Sequence, residues 1–419
     1  MRRTIGLVCI LAAGLLLLPA PLHPQAPEGI IIAVEVRGLK KTKPHVAERP
    51  LRHFVGRRAA ALDLNEVRAV ILDTGILEPL SVRIEDGYWE TGKILVVEVR
   101  EKWSIFPVPI FFVGSGGMMA GAAFYDANAF GLNDKMVAAG MYQSDGWNTT
   151  LMYIHSPAGD GNFGLSGSFS FAQQEQKDRD QRDETIRRYQ ADSVTARAGL
   201  LYRFTAPLSG ALRFSYTGRS LGTGGDPLLS PAEGAQVIGM GPEFSIRDSS
   251  WDGYLLSGRS AVFGYRYSQG IGSPSFHSLS FHSLSFQGIF EKSIVPGFRI
   301  NSRGGLLWSP LVPVLFEESP DAAEVNILPR SFSARHYAGL SLGLEKHLFK
   351  ISAGALAVLA SWQMVYSHGS ILGNQFDYGV SGAFFFYLSK LAIPAVGLGL
   401  SYNIPADFFQ VSFSMGMSI

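Results

Sequence analysis

Apolar and small or polar residues alternate along one strand-length segment after another through roughly the last three-quarters of the chain. Successive side chains of a β-strand point to opposite sides, so each such segment has one apolar and one polar face. The last segment places Phe409, Val411, Phe413, Met415, Met417 and Ile419 on one face and Gln410, Ser412, Ser414, Gly416 and Ser418 on the other. No helical pattern in this region could cover the apolar faces. The pattern therefore predicts a closed β-barrel whose outer surface contacts lipid.

The number of strand-length segments supports the same architecture. We count about sixteen, an even number that leaves both ends of the chain on one side of the membrane. Consecutive strands are expected to begin near Asn162 and Val194, and the charged run Gln173 to Asp192 between them is expected to be a solvated loop. Residues 105–419 are thus predicted to form a transmembrane antiparallel β-barrel, preceded by a smaller α+β domain.

The amino-acid composition agrees with a barrel, and it gives no support for nucleic-acid binding or disulfide bonds. The chain of 419 residues has 47 glycines, 17% charged residues and 12% aromatic residues, as expected for a lipid-facing band with aromatic girdles. The formal net charge of +1 gives no argument for nucleic-acid binding. The single cysteine, Cys9, lies in the N-terminal leader, so no disulfide is expected in the mature protein.

The first residues have the pattern of a secretory signal peptide. Arg2 and Arg3 precede the apolar run Ile5 to Leu18, and prolines follow at positions 19, 21 and 24. A membrane anchor is the alternative, but the run of roughly 14 residues is shorter than the ~20 needed to span a bilayer as a helix. We predict a signal peptide over residues 1–26. Export followed by a barrel predicts the outer membrane of a Gram-negative-type bacterium, with the smaller domain in the periplasm.

Residues 28–103 have a mixed pattern. Asp63 is placed to cap a helix, and Glu66 three residues later completes a capping box. The predicted elements, in order, are a strand, two helices and two strands, namely Ile30 to Val36, Pro44 to Phe54, the helix after Asp63, Ser81 to Ile84 and Ile94 to Val99.

This segment resembles a POTRA domain, the periplasmic module that precedes the barrel in bacterial surface antigen proteins. The resemblance rests on residues in the same order and spacing: the Val-Arg-Gly-Leu that contains Gly38, then Gly56, the Leu-Asp-Thr-Gly that contains Thr74 and Gly75, and the closing run Val97 to Lys102. It implies one POTRA-like domain.

The barrel region resembles the same superfamily, whose members include BamA-like and TamA-like outer-membrane assembly factors. The run Tyr125 to Gly131 is similar to the early Asp-x-Asn-x-x-Gly signature. Leu328 to Phe332 is similar to the Arg-Gly-aromatic tip of the long sixth loop, and Gly343 to Glu345 to the strand that follows it. The resemblance implies that this loop folds into the barrel and that its arginine meets acidic groups on the inner wall.

Three residues are therefore expected to lock the sixth loop: Arg330, Phe332 and Glu345. A guanidinium–carboxylate pair is strong and directional, so we predict an Arg330–Glu345 pair, the alternative being a solvated arginine. Two departures weaken the match. Ser331 replaces the glycine of the loop tip, and Tyr366 to Gly369 lacks the aspartate usual there. The lock could therefore be altered or relocated.

The closure between the first and last strands is expected to be a weak lateral seam. Pro107 and Pro109 lie in the first strand, and proline removes hydrogen-bond donors from a ladder. The last strand contributes Phe409, Val411 and Phe413. A seam with few hydrogen bonds could open sideways for a client protein.

Three functional classes follow from these features. The first is an assembly factor that inserts or translocates unfolded outer-membrane or secreted clients, with lipids and periplasmic or lipoprotein subunits as partners. The second is a two-partner-type secretion transporter for one dedicated protein. The third is a passive pore or structural barrel. We expect no enzyme, cofactor or metal site, because the sequence has no Gly-x-Ser-x-Gly or His-Glu-x-x-His motif.

Overall fold

The computed structural model describes residues 29–87, 92–114, 117–155, 161–225, 234–252, 255–271, 279–320, 325–329, 332–351, 354–369, 372–388 and 395–416. The predicted signal peptide lies outside these residues. The chain divides into two compact units, residues 1–102 and 103–419. Within the described part of the chain, no helix is both long and apolar enough to cross a membrane.

The N-terminal unit is a three-stranded sheet covered by short helices. Its elements are β1 (Ile30–Arg37), α1 (Pro44–Glu48), a 3₁₀ segment (Arg49–Phe54), a 3₁₀ turn (Ala59–Ala61), α2 (Leu64–Asp73), β2 (Leu77–Asp86) and β3 (Gly92–Glu101). The sheet order is β1-β3-β2, with β1 parallel and β2 antiparallel to β3. Ile31, Leu51, Phe54, Val67, Ile71 and Leu95 form the buried core. The order of strands and helices agrees with the order read from the sequence.

The C-terminal unit is one antiparallel sheet of 16 strands, each paired with the next along the chain. The strands are β4 (Ile105–Gly114), β5 (Gly117–Ala129), β6 (Asp134–Gln143), β7 (Gly146–His155), β8 (Phe163–Arg179), β9 (Thr185–Arg203), β10 (Leu208–Gly225), β11 (Ala235–Asp252), β12 (Leu255–Ile271), β13 (Ser280–Val295), β14 (Phe298–Trp308), β15 (His336–Ile351), β16 (Gly354–Gly369), β17 (Gly373–Leu388), β18 (Ala395–Asn403) and β19 (Phe408–Gly416). The count agrees with the sequence pattern.

One predicted loop is wrong. The charged run Gln173 to Asp192 belongs to a hairpin in which β8 and β9 stay paired from Gln173↔Asp192 up to Arg179↔Thr185. Oppositely charged side chains stabilise it, because Asp178 pairs with the buried Arg187 and Arg179 pairs with Asp183. Cross-strand ion pairs replace the apolar contacts that a hydropathy pattern detects.

The two faces of the large sheet differ in chemistry. On the outer face the large apolar side chains are exposed, including Phe244, Ile246, Leu342, Leu344, Leu398 and Leu400. On the inner face the side chains at alternate positions are polar and buried, including Arg299, Ser341, Glu345, Gln363, Asp377 and Asn403. This alternation confirms the two faces predicted for these strands.

The two ends of the sheet also differ. The β14–β15 connection (residues 309–335) defines the loop end. The opposite end, the turn end, includes the two-residue turn Pro296–Gly297 between β13 and β14. Gly297 has φ +75°, a left-handed conformation that glycine adopts without a steric penalty.

Candidate functional site: the seam and the inner-face connection

The two end strands of the large sheet, β4 and β19, lie side by side. Their Cα atoms come within 8 Å of each other. No hydrogen-bonded ladder joins them in the part of the chain that the structure describes, whereas every other pair of neighbouring strands is laddered. The two strands that the sequence predicts to form the seam are therefore adjacent but not hydrogen-bonded to each other in the described residues.

The predicted seam residues lie at this junction. Pro107 and Pro109 are exposed, as are Phe409 and Val411, at 57% and 43% of their maximal area. Phe413 is in β19, where only its backbone is described. The β4–β5 register is continuous from Ile105↔Asp126 to Gly114↔Gly117. Backbone groups of alternate residues point to the same edge of a strand, so the two prolines remove donors from one edge of β4. The intact ladder with β5 indicates that this edge is the seam.

The β14–β15 connection packs on the inner face. Phe332 is fully buried with Ile327 and Leu328 against Tyr337 of β15 and Val365 of β16. The backbone of Asn326 is held by two strands: its N–H donates to Gln363 Oε1 at 2.9 Å, and its carbonyl accepts from Ser401 Oγ at 2.6 Å.

The first part of the connection contacts other strands. Leu315 packs with Tyr189, Ala191 and Ala235 of β9 and β11. Its carbonyl accepts a hydrogen bond from the Arg219 guanidinium, which lies over the Phe316 ring at 5.3 Å. The connection thus contacts inner-face residues on strands from β9 to β18.

Glu345, predicted to pair with Arg330, has other partners on the inner face. Arg299 Nη2 donates to Glu345 Oε2, and the Tyr387 hydroxyl donates to Oε1 at 2.8 Å. Arg299 Nη1 also donates to Glu291 Oε2 at 3.0 Å. All three charged residues are at least 94% buried, so the pairs satisfy charges that would be costly alone.

Arg330 and Ser331 lie outside the described residues, so the Arg330–Glu345 pair stays a prediction. The geometry of β15 bears on it. Tyr337, which contacts the Phe332 cluster, precedes Glu345 by eight positions on this strand. Eight residues of strand span roughly 26 Å. The structure therefore does not bring Phe332 and Glu345 into one cluster.

Asp377 of β17 is a buried carboxylate that the sequence analysis missed. It is 1% exposed and opposite Val365, a member of the Phe332 cluster. Its Oδ1 accepts from Asn403 Nδ2 at 3.0 Å, while Oδ2 has no hydrogen-bond partner among the described residues. The signal was present in the sequence, because Asp377 alternates with the outward Phe376 and Tyr378.

The early signature forms a turn at the turn end. Asp126 Oδ1 accepts from the Asn128 N–H at 3.0 Å and from Ser104 Oγ at 2.9 Å. Asn128 Oδ1 accepts from the Asn133 N–H at 2.8 Å. The two side chains thereby satisfy backbone donors of the β5–β6 turn, which explains their spacing.

The motif residues of the N-terminal unit have local structural roles. Gly38 has φ +94°, and a Cβ there would lie 2.3 Å from the Val99 carbonyl oxygen. Gly56 and Gly75 also have positive φ. Thr74 Oγ1 donates to the Ile71 carbonyl at 2.7 Å at the end of α2, and Asp63 caps its start by accepting from the Asn65 N–H at 2.8 Å.

Glu101 closes the N-terminal unit by binding a backbone loop. Its carboxylate accepts from the N–H groups of Lys40, Lys41 and Thr42 at 2.7–3.1 Å. Partial burial raises the pKa of Glu101, but these donors together outweigh it and hold the pKa below its usual range. The carboxylate therefore stays ionised and fixes the chain between β1 and α1.

Comparison with solved structures places this architecture among known proteins. BamA from Haemophilus ducreyi, in a structure lacking POTRA domains 1–3, has 13% identity and a TM-score of 0.62, covering 92% of this chain and 84% of its own. CdiB from Escherichia coli has 14% identity and a TM-score of 0.60, covering 92% and 76%. CdiB from Acinetobacter baumannii has 11% identity and a TM-score of 0.62, covering 93% and 74%.

No protein-family model and no curated protein sequence matches the chain. At these identities the structural likeness establishes the fold. The resemblance noted in the sequence is confirmed at that level, and this chain has the fold of BamA and CdiB.

Proposed function

We propose that the chain is an outer-membrane β-barrel protein with one periplasmic POTRA-like domain. In this proposal it assists the insertion or translocation of client polypeptides through the seam between β4 and β19. The observation that carries the proposal is that seam, where two adjacent end strands have no ladder between their described residues. An extended client strand could pair with either free edge, because each presents unpaired N–H and C=O groups.

A barrel in a bilayer accounts for the two faces of the sheet. The exposed apolar side chains of the outer face would contact lipid, and the polar inner face would line the lumen. A ladder between β4 and β19 would leave no sheet edge in the hydrocarbon, whereas strands that only lie side by side keep unpaired backbone groups at the seam. The adjacency of β4 and β19 supports a sheet that curves back on itself at this seam.

Strand length supports the seam as the place of opening. β4, β6, β7, β18 and β19 have 9 or 10 residues, whereas β8 to β13 have 16 to 19. A tilted transmembrane strand needs about 9–11 residues to cross a bilayer. The seam strands β4 and β19 are therefore only just long enough to cross a bilayer. Because they are short, separating them disrupts few backbone contacts.

The N-terminal unit supports a POTRA-like domain in the periplasm. Residues 103–419 alone cannot account for 92% of a 419-residue chain, so the match to BamA extends into the N-terminal unit. Its order of strands and helices also agrees with the resemblance. Such a domain could recruit clients or accessory subunits through its sheet edges.

We infer that the loop lock uses Asp377 rather than Glu345 as the acceptor for Arg330. Asp377 lies beside the Phe332 cluster and has a buried carboxylate oxygen without a described partner, while Glu345 already binds Arg299 and Tyr387. If so, Arg330→Ala and Asp377→Asn should lower client assembly equally and the double variant should add little. Additive losses would contradict the pairing.

Depleting the protein in its native host and quantifying the outer-membrane proteome tests the function. Broad loss of other barrel proteins is the expected result for an assembly factor. Loss of one secreted or surface protein alone would favour a dedicated two-partner-type transporter. An unchanged proteome would contradict both the assembly factor and the dedicated transporter, and would favour a passive pore.

A further inference from the structure

A cavity of about 870 Å³ lies on the inner face between β7 and β12, covered by the first part of the β14–β15 connection. Phe316, Glu317 and Glu318 form its cover. Its walls carry small polar residues and glycines, which leave room for charged side chains, including Ser166, Gly167, Ser168, Ser215, Gly241 and Gly264.

Four arginines line this cavity, and two of them have carboxylate partners. Arg213 Nη2 donates to Glu243 Oε1 at 2.7 Å, and Arg266 Nη2 donates to Glu318 Oε1 at 2.7 Å. The third carboxylate of the lining, Glu317, pairs with Arg335 at 3.2 Å. Every described acidic group of the cavity therefore already has a cationic partner.

The other two arginines make no direct contact with a carboxylate of the described residues, although Glu318 and Asp178 lie near enough to Arg219 to act on its charge. Arg219 binds the Leu315 carbonyl and the Phe316 ring, neither of which carries a charge. Arg197 has no hydrogen bond or ion pair to any residue that the structure describes, and its side chain is exposed to the cavity. The four arginines and three carboxylates of the lining thus leave the cavity with an excess of positive charge, which favours an anion there.

Arg197 and Arg213 are positioned to act together. Arg213 is opposite Gly199 in the β9–β10 ladder, so Arg197, two residues away on the same face, is its diagonal neighbour. A Cβ at Gly199 would lie 2.8 Å from Arg213 Nη1, which shows that the guanidinium lies against β9. Two guanidinium groups on adjacent strands present several N–H donors to one small acceptor.

We propose that Arg197 and Arg213 form a binding site for a small oxyanion, a phosphate or carboxylate group, in this cavity. Planar guanidinium groups match the oxygens of both. Ser166, which already accepts from Arg213 at 2.9 Å, holds that guanidinium in place. Anion binding at this site does not depend on client handling, so it can be tested independently of the proposed function.

Calorimetric titration of the full-length folded protein in non-ionic detergent tests the site, with pyrophosphate and tricarballylate as probes at constant ionic strength. We expect saturable binding of at least one probe. Arg197→Gln should weaken it at least tenfold, and Arg197→Lys should retain part of it. The matched control, Arg188→Gln, removes the same charge from the exposed part of β9 and should leave binding unchanged.

The probes separate the two chemistries, since preference for pyrophosphate indicates a phosphate site and preference for tricarballylate a carboxylate site. Absence of saturable binding of both probes would overturn the proposal. Equal weakening by Arg197→Gln and Arg188→Gln would overturn it too, because the effect would then be one of overall charge. Heat-modifiable electrophoretic mobility verifies that each variant is folded.

Discussion

The two sides of the large sheet are built differently. On the seam side, β18, β19, β4, β6 and β7 are 9 or 10 residues long, and no ladder joins β19 to β4 among the residues that the structure describes. On the far side, which runs from β8 to β17, all strands but β14 have at least 16 residues, and the β14–β15 connection packs on the inner face of β9 to β16.

The most deeply buried arginine–carboxylate pairs of the described residues lie on the far side. The Glu291–Arg299–Glu345 network and the Phe332 cluster both lie on β13 to β17 and the connection. On the seam side, β4 has instead two exposed prolines, and the buried polar residues of β18 and β19, such as Ser401, Asn403 and Gln410, carry no charge. This difference agrees with the proposal that the seam side parts locally while the far side holds the fold together, since regions with few buried contacts open most easily.

The largest effect is expected from Arg299→Ala on the far side. The change leaves the buried Glu345 without its cation, while Glu291 keeps Arg303, and the uncompensated charge should cost about 3–5 kcal/mol. Urea titration with heat-modifiable mobility as the readout measures it. The control Arg188→Ala breaks an exposed pair at 3.6 Å and should cost less than about 1 kcal/mol. Equal midpoints for the two variants would contradict a far side held by buried ion pairs.

A smaller, local effect is expected from Phe332→Ala. Removing a fully buried aromatic ring should cost about 3 kcal/mol of docking free energy and release the β14–β15 connection without unfolding the sheet. Limited proteolysis of residues 309–335 should then be roughly a hundredfold faster. Leu311→Ala, in the same connection but 64% exposed, is the matched control and should leave the rate unchanged. Similar rates for both variants would show that the ring does not anchor the connection.

The smallest effect is expected from restoring the missing donors of the seam. Replacing Pro107 and Pro109 together by valine returns two N–H groups to β4, each worth about 1 kcal/mol if it pairs with β19. Hydrogen exchange of β19 should slow by up to roughly thirtyfold, the factor that corresponds to about 2 kcal/mol. Ala122→Val adds similar bulk opposite Pro109 without a donor and should not change the exchange rate. If exchange does not slow in the double variant, the two prolines do not lie on the edge of β4 that faces β19.

Much of the fold could be predicted from the sequence because alternation shows directly in hydropathy. The exposed Leu342 and Leu344 and the buried Ser341 and Glu345 occupy the faces that the pattern indicates. The full length of the β8–β9 hairpin could not be predicted this way, because the part next to its turn has charged side chains where a hydropathy pattern needs apolar ones. Arg187, 5% exposed and paired with Asp178, is buried only because its partner on the other strand is there too.

The candidate site was harder to predict than the fold. The residues of the connection could be identified individually, but their partners depend on which strands lie close in space. Arg299 and Tyr387 bind Glu345 from β14 and β17, and the sequence separation between them gives no sign of this. Asp377 could not be predicted from the resemblance, because the aspartate was expected at positions 366–368, whereas the buried carboxylate lies on the next strand.

Locking the seam with a disulfide tests the central claim most directly. One cysteine is placed in Ile105–Gly114 and one in Phe408–Gly416, at positions with Cα atoms no more than about 7 Å apart. The control pair Ala123→Cys and Ala139→Cys crosses the intact β5–β6 ladder. We predict that oxidation stops client assembly or translocation only for the seam pair, and that reduction restores it. Undiminished client handling with the seam locked would contradict lateral opening between β4 and β19.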